Sequence, residues 1–141
     1  VKESLELLKN NNSNIINIGS VHSISTSDKI AAYATSKAAI VGLTRNLAIE
    51  LSKFNIRVNC VSPGAIDTKM LRDGLQRGHC DEGTSDELIT RLGKSHLLGK
   101  VGKPIDIANI VKFIADNKNG QFINGANITI DGGASIKLST E

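Results

Sequence analysis

The chain has 141 residues, 40% of them apolar and only 3% aromatic, which fits one domain with a core of Ile, Leu, Val and Ala. That bias suits packed α/β layers better than an all-β sandwich, and the apolar fraction excludes a disordered chain. The formal net charge of +3 comes from 17 basic and 14 acidic residues scattered along the sequence, so no basic stripe for nucleic acid is present and the leaning toward anionic ligands is slight.

At the start, Leu5, Leu7 and Leu8 among Lys2, Glu3, Glu6 and Lys9 read as the last turns of an amphipathic helix. The polar run Asn10-Asn11-Asn12-Ser13-Asn14 stops it. Ile15-Ile16-Asn17-Ile18 predicts a short buried strand, ended by Gly19-Ser20. After a polar loop over 21–30, the longest helix is predicted over 31–53. Its apolar residues cover more than one face, so one side is expected to meet a sheet and another a partner subunit. Phe54-Asn55 turns the chain into a second strand over 56–62, stopped by Pro63-Gly64. Residues 65–100 are polar and glycine-spotted, with helical patterns over 68–77 and 85–92, and read as a functional loop or lid. Pro104 opens a helix over 105–116, with Ile107, Ala108, Val111, Phe113, Ile114 and Ala115 expected inward. Asn119-Gly120 turns the chain again. Ile123 and then residues 126–130 predict a third strand, ended by Asp131-Gly132-Gly133. Alternation of this kind predicts parallel strands joined by right-handed crossovers.

Cys60 lies in the run Asn59-Cys60-Val61 and reads as a buried small hydrophobe, whereas Cys80 stands in a polar stretch. Two such cysteines give no disulfide framework and point to a reducing, cytoplasmic compartment. No run is apolar and long enough to span a membrane. His22, His79 and His96 lack metal-ligand spacing, so no metal site is expected, and no Gly-x-Ser-x-Gly elbow supports a hydrolase. The chain begins at Val1 inside an apparent helix, so its natural start is expected upstream.

The most informative spacing is Tyr33-Ala34-Thr35-Ser36-Lys37. Four residues along a helix return to nearly the same face, about 40° further round. A phenol and an ammonium therefore stand one turn apart. A free phenol, with a pKa of about 10, exchanges protons poorly in neutral water, and a nearby cation stabilises the phenolate. Tyr33 is thus a candidate general acid/base, although the same spacing occurs on many helices without function. Ser20 follows a buried strand directly and stands at its C-terminal end, the edge where ligands bind in open α/β sheets. It either donates a hydrogen bond to a ligand there or merely caps a turn. The segment Val61-Ser62-Pro63-Gly64-Ala65-Ile66-Asp67-Thr68 turns sharply at the same edge. It offers backbone groups and the Thr68 hydroxyl to an amide, or is an ordinary strand-to-loop turn.

Ser20, thirteen residues before Tyr33, with Lys37 four after it, resembles the active site of the short-chain dehydrogenase/reductase family. The neighbouring words match as well: Ile-Asn-Ile-Gly-Ser at 16–20, Ala-Ala-Tyr-Ala-Thr-Ser-Lys-Ala-Ala at 31–39, Gly-Leu-Thr-Arg at 42–45, Ile-Arg-Val-Asn at 56–59 and Ser-Pro-Gly at 62–64. Gly-Lys-Pro-Ile-Asp-Ile-Ala at 102–108 and Ile-Asp-Gly-Gly at 130–133 resemble the family's closing elements. The resemblance implies that Tyr33 moves the proton of a carbonyl or secondary alcohol while hydride passes to or from NAD or NADP. Ser20 would orient the substrate oxygen. Lys37 would assist the phenol and bind the nicotinamide ribose. After the Pro63-Gly64 turn, which belongs to the same cofactor site, the Ile66 backbone and Thr68 would hold the carboxamide. The long helix would join copies of itself in a homodimer or homotetramer, with no nucleic-acid or membrane partner.

The family's glycine-rich phosphate loop, its Asn-Ala-Gly segment, the asparagine of its proton relay and the residue that chooses NAD or NADP have no counterpart in the sequence. Residues 1–141 are therefore expected to form a single partial domain. It would be the C-terminal part of a doubly wound, parallel-sheet, Rossmann-like α/β fold without its N-terminal nucleotide-binding strands, inactive alone. The rival expectation is a non-catalytic remnant that serves assembly through its helical interface.

Overall fold

The computed structural model describes residues 1–9, 11–76 and 83–136. A 3₁₀ turn at Lys2–Ser4 leads into helix α1 (Leu5–Leu8) and strand β1 (Asn14–Ile18). A second 3₁₀ turn (Val21–Ser23) precedes helix α2 (Ala31–Ser52) and strand β2 (Arg57–Pro63). Helices α3 (Lys69–Gly74), α4 (Ser85–Gly93) and α5 (Pro104–Ala115) follow, and strand β3 (Asn127–Ile130) closes the order. The strands form one parallel sheet in the order β1-β2-β3. Asn14 pairs with Arg57 and Ile18 with Val61; Cys60 pairs with Asn127 and Pro63 with Ile130. The α/β class, the parallel sheet and the placing of its strands agree with the expectation from sequence. No described helix is long and apolar enough to cross a membrane.

Central strand β2 is buried from Val58 through Ser62. Val58, Cys60 and Val61 are wholly inaccessible, and Cys60 is a free thiol. On one side Ala48 and Leu51 of α2 pack with Ile56 and Val58, flanked by Leu5, Leu8, Ile15, Leu47 and Phe54. From α5, which also packs on the strands, Ile114 is wholly buried. Burying such a side chain is worth roughly 1.5–3 kcal/mol, so these few contacts fix where the helices lie.

The inward face of α5 differs from the expected one. Ile114 is buried and Ile107, Ile110 and Val111 are half-buried, whereas Ala108 and Ala115 are exposed and Phe113 is 47% exposed. The observed set follows the i, i+3, i+4, i+7 period of one helical stripe, which Phe113 and Ala115 break. Helix α2 shows the same economy. Val41, Thr44, Ala48 and Leu51 are buried, while Leu43 and Ile49 stay 52% and 75% exposed. Within 65–100 the described residues include helices α3 and α4, close to the two helical patterns expected from sequence. Helix α4 begins in a capping box, with Thr84 N–H donating to Glu87 Oε2 at 2.8 Å and Glu87 N–H to Thr84 Oγ1 at 3.4 Å.

Strand β3 starts one residue later than expected because the segment before it is tied to β2 by side chains. Asn59, fully buried, donates through Nδ2 to the Ile123 carbonyl (2.8 Å) and accepts from Ala126 N–H (3.0 Å). Asn124 Oδ1 accepts from Val58 N–H (2.9 Å), and Gly125 N–H donates to the Val58 carbonyl (2.8 Å). Arg57 donates to the carbonyls of Ile123 and Ile114 at 3.1 and 2.9 Å. Replacing Asn59 by Ala leaves Ala126 N–H without its acceptor, while Arg57 still serves Ile123. Asn59→Ala is expected to cost about 1–3 kcal/mol, read as a lower urea midpoint at unchanged slope.

Candidate active site

Parallel pairing puts the C-terminal ends of all three strands on one edge of the sheet. Gly19 continues the β1 ladder by donating to the Val61 carbonyl at 2.8 Å. A Cβ on Gly19 would stand 2.6 Å from Ser62 Oγ and 2.7 Å from Cys60 Sγ, so only glycine lets the chain lie this close to β2. Ser20 is thereby set in an extended conformation, 5% exposed. Its Oγ accepts from His22 N–H at 3.2 Å, and its carbonyl accepts from Ser23 N–H and Oγ at 3.0 and 2.8 Å. Ser20 therefore does cap a turn, as one reading of the sequence had it. It also stands at the ligand edge, as the other had it, with no hydrogen bond from its own hydroxyl proton to a described residue.

Tyr33 and Lys37 lie in the first two turns of α2, above that edge. Lys37 Nζ donates to the carbonyl of Ile18, the last residue of β1, at 3.0 Å. The same ammonium is 5.5 Å from the Tyr33 ring centroid. The ring of His22 meets that of Tyr33 edge to face, with centroids 5.8 Å apart and planes at 74°. Ser20, His22, Tyr33, Lys37 and Ile18 thus form a circuit of successive contacts. Burial lowers the pKa of His22, against an opposing influence from the Ser25 backbone, and the net shift favours the neutral ring. Sequence reasoning weighed His22 only as a metal ligand. Its place two residues after Ser20, on the turn that Ser20 caps, was the available signal.

Residues after β2 complete the edge. Pro63 ends the strand, and Gly64 N–H donates to the Ile130 carbonyl at 2.9 Å. Ile66 pairs with Gly102 in an isolated parallel bridge. The bonds of that bridge run from Gly102 N–H to the Ala65 carbonyl and from Asp67 N–H to the Gly102 carbonyl, both 2.9 Å. The backbone groups of Ile66 itself take no part in it. Thr68 caps α3, its Oγ1 accepting from Leu71 N–H at 3.3 Å. Arg72 clasps Asp67, and these hydrogen bonds hold the Asp67 carboxyl below the usual carboxylate range despite partial desolvation. The sequence gives no periodic signal for that ion pair.

Among the described residues no group of three or more His, Cys, Asp or Glu could hold a metal ion. His79 and Cys80 lie outside the described residues.

A family model described as enoyl-(acyl carrier protein) reductase matches residues 1–135. A curated relative, an uncharacterized oxidoreductase of Thermotoga maritima, is 35% identical over 136 residues, 96% of this chain and 51% of that protein. Among solved structures, a short chain dehydrogenase family protein from Francisella tularensis aligns with a TM-score of 0.87 and 33% identity, over 96% of this chain and 56% of that one. The chain belongs to the short-chain dehydrogenase/reductase family. It spans about half the length of the curated relatives it matches. Another solved structure of similar fold is 4-hydroxyisoleucine dehydrogenase complexed with NADH, with a TM-score of 0.79 and 31% identity, over 97% of this chain and 52% of that one.

Within this short-chain dehydrogenase/reductase sheet, Gly64 has a steric duty apart from any ligand. A Cβ there would stand 2.7 Å from Asp131 Cβ and 2.8 Å from Asp131 Cα, where β3 ends. Asp131 is itself anchored, its carboxylate accepting from Gly133 and Ser135 N–H at 3.0 and 2.8 Å. Gly64→Ala must therefore push two backbones apart. It is expected to destabilise the fold by about 1–3 kcal/mol, seen as a lower melting temperature.

Proposed function

We propose that this chain is the C-terminal half of an NAD(P)-dependent oxidoreductase that interconverts a carbonyl and a secondary alcohol on a small molecule. The observation that carries the reading is the Lys37 ammonium, fixed to the Ile18 carbonyl beside the Tyr33 ring and the Ser20 edge. Such an edge suits a ligand rich in acceptors. The hydroxyl protons of Ser20, Tyr33 and Thr68 reach no acceptor among the described residues. Among the described residues Lys37 uses one of its three donors, and the Ile66 backbone is outside the bridge. Ribose hydroxyls and a carboxamide fit these groups, so the residues present fit the nicotinamide end of a dinucleotide.

When bound, the dinucleotide supplies or accepts the hydride. Tyr33 Oη gives its proton to the substrate oxygen in reduction and takes it back in oxidation. Ser20 donates its hydroxyl to the same oxygen and holds it in line. Ser20 Oγ accepts from His22 N–H, which leaves its own proton free to donate to that oxygen. Lys37 donates to the ribose hydroxyls and stabilises negative charge on Oη as the proton leaves. Ile66, through its backbone, and Thr68 hold the carboxamide, next to the turn at Pro63 and Gly64. The lid over 65–100, within one domain spanning 1–141, covers the substrate. The exposed Leu43 and Ile49 of α2 support assembly as a homodimer or homotetramer. Unspent donors at the edge favour an enzyme over a non-catalytic assembly partner, which would have no use for them.

In the complete enzyme, Tyr33→Phe is expected to lower turnover by about 10²–10⁴ while dinucleotide binding survives, as steady-state assay and titration will read. Turnover close to that of the parent would remove Tyr33 from proton transfer. The 141-residue chain alone carries no glycine-rich turn at a helix N-terminus for the pyrophosphate. Calorimetric titration with NADH or NADPH is expected to give no measurable heat, since each ~1.4 kcal/mol of lost contact costs tenfold in affinity. Micromolar binding by the isolated chain would show that it holds phosphate by another route.

A further inference from the structure

Thr68 caps α3 beyond the β2 turn, and nothing in its own side chain fixes where its hydroxyl proton goes. The residues around it do. Asp67, just before it, is held by its backbone, which donates to the Gly102 carbonyl at 2.9 Å. It is also held by its side chain, which Arg72 clasps with one edge of the guanidinium: Nε to Oδ1 at 2.6 Å and Nη2 to Oδ2 at 2.9 Å. The Arg72 backbone N–H then donates to the Thr68 carbonyl at 3.0 Å, and the Leu71 N–H to Thr68 Oγ1 at 3.3 Å. A ring therefore closes around Thr68, from the Asp67 carboxylate through the Arg72 side chain and backbone to the Thr68 carbonyl.

We infer that Arg72 is a positioning residue that aims the Thr68 hydroxyl at the nicotinamide carboxamide, through the fork it makes with Asp67. The inference rests on the reading of Thr68 given above. Two-point geometry is what the task requires, because a fork fixes direction as well as distance, which a lysine cannot do. The third arm of Arg72, Nη1 to Asp86 Oδ1 on α4 at 2.7 Å, is of a different kind. Asp86 is 85% exposed, against 33% for Asp67 and 35% for Arg72. Water and salt screen that arm, so it tethers α4 without aiming Thr68.

The test is equilibrium binding to the complete enzyme of NADH and NADPH, and of ADP-ribose and 2′-phospho-ADP-ribose, which lack the nicotinamide. Thr68→Val and Arg72→Met are each expected to weaken dinucleotide binding by about 3- to 10-fold, as for one lost or misdirected hydrogen bond. The double variant should be no weaker than the worse single one, because both remove the same contact. ADP-ribose affinities should stay within about twofold of the parent in each variant. Asp67→Asn, which keeps the shape but weakens the fork, should reproduce Arg72→Met and serves if that variant fails to fold. Asp86→Asn should bind every ligand like the parent. If Thr68→Val weakens dinucleotide binding and neither Arg72→Met nor Asp67→Asn does, the positioning role is wrong and the reading of Thr68 stands. Equal losses for dinucleotide and ADP-ribose, or additive losses in the double variant, would show only a structural role for Arg72 and overturn the inference. An unaffected Thr68→Val would remove the carboxamide contact itself, and the inference would fall with it.

Discussion

Strand β2 is buried from Val58 to Ser62 and paired in parallel on both sides, and the other described elements are arranged around that fact. A strand with no solvent face needs cover above and below, which α2 and α5 supply. Parallel neighbours also require each connection to cross back over the sheet, so all three strands end at the same edge. Gly19-Ser20, Pro63-Gly64 and Asp131 meet there for that reason alone. Not all of β2 is apolar. Asn59 and Ser62 are wholly buried, yet each is satisfied from the β3 side, Asn59 by residues 123 and 126 and Ser62 by Asn127 Oδ1 at 2.6 Å. The same polar pairs define where β3 docks, because a slip in register would leave them unpaired inside the protein.

Much of this was legible in the sequence, for definite reasons. Each strand is marked by a β-branched run with a turn signal after it: Ile15 to Ile18 before Gly19, Arg57 to Ser62 before Pro63-Gly64, Asn127 to Ile130 before Asp131-Gly132-Gly133. These signals are local. So is the Thr84–Glu87 capping box, a Thr-x-x-Glu pattern that marks the start of α4. What could not be read depends on contacts between distant segments. The exposure of Phe113 is decided by which stripe of α5 meets the strands, and apolarity alone does not say which. Gly64 looked like a ligand-binding turn residue, but its constraint comes from Asp131, far along the chain. Ser20 and the Pro63-Gly64 turn stand at strand ends that local turn signals mark, and Lys37 reaches that edge through its bond to Ile18. The clasp of Asp67 by Arg72 had no signature, since five residues apart is not a spacing that a regular helix brings together.

The chemistry at the edge follows from how backbone groups are spent. Ile18 is the last residue of β1, and its carbonyl accepts the Lys37 ammonium. That one bond ties the start of α2 to the end of β1. It fixes the height of Tyr33 above the sheet, which the loop over 21–30 would otherwise leave open. Thr44 does related work further along the same helix, accepting from Asn17 Nδ2 at 2.9 Å while donating to the Ile40 carbonyl. Two side chains of α2 are thus bonded to successive positions of β1, and the helix can neither slide nor roll without breaking both.

The close approach of Gly19 to Cys60 and Ser62 has a consequence for stiffness. Ser20 follows directly from a backbone laid against the densest part of the interior, so its displacements are limited to those of a close-packed core. Thr68, across the edge, is held by directed hydrogen bonds instead, from Leu71 and Arg72 N–H, with the Asp67–Arg72 fork beside it. One side of the edge is therefore anchored by packing and the other by directed polar bonds. Close packing resists displacement in every direction, whereas a hydrogen-bonded segment resists chiefly along its bonds, so the Ser20 side is the fixed reference of this edge.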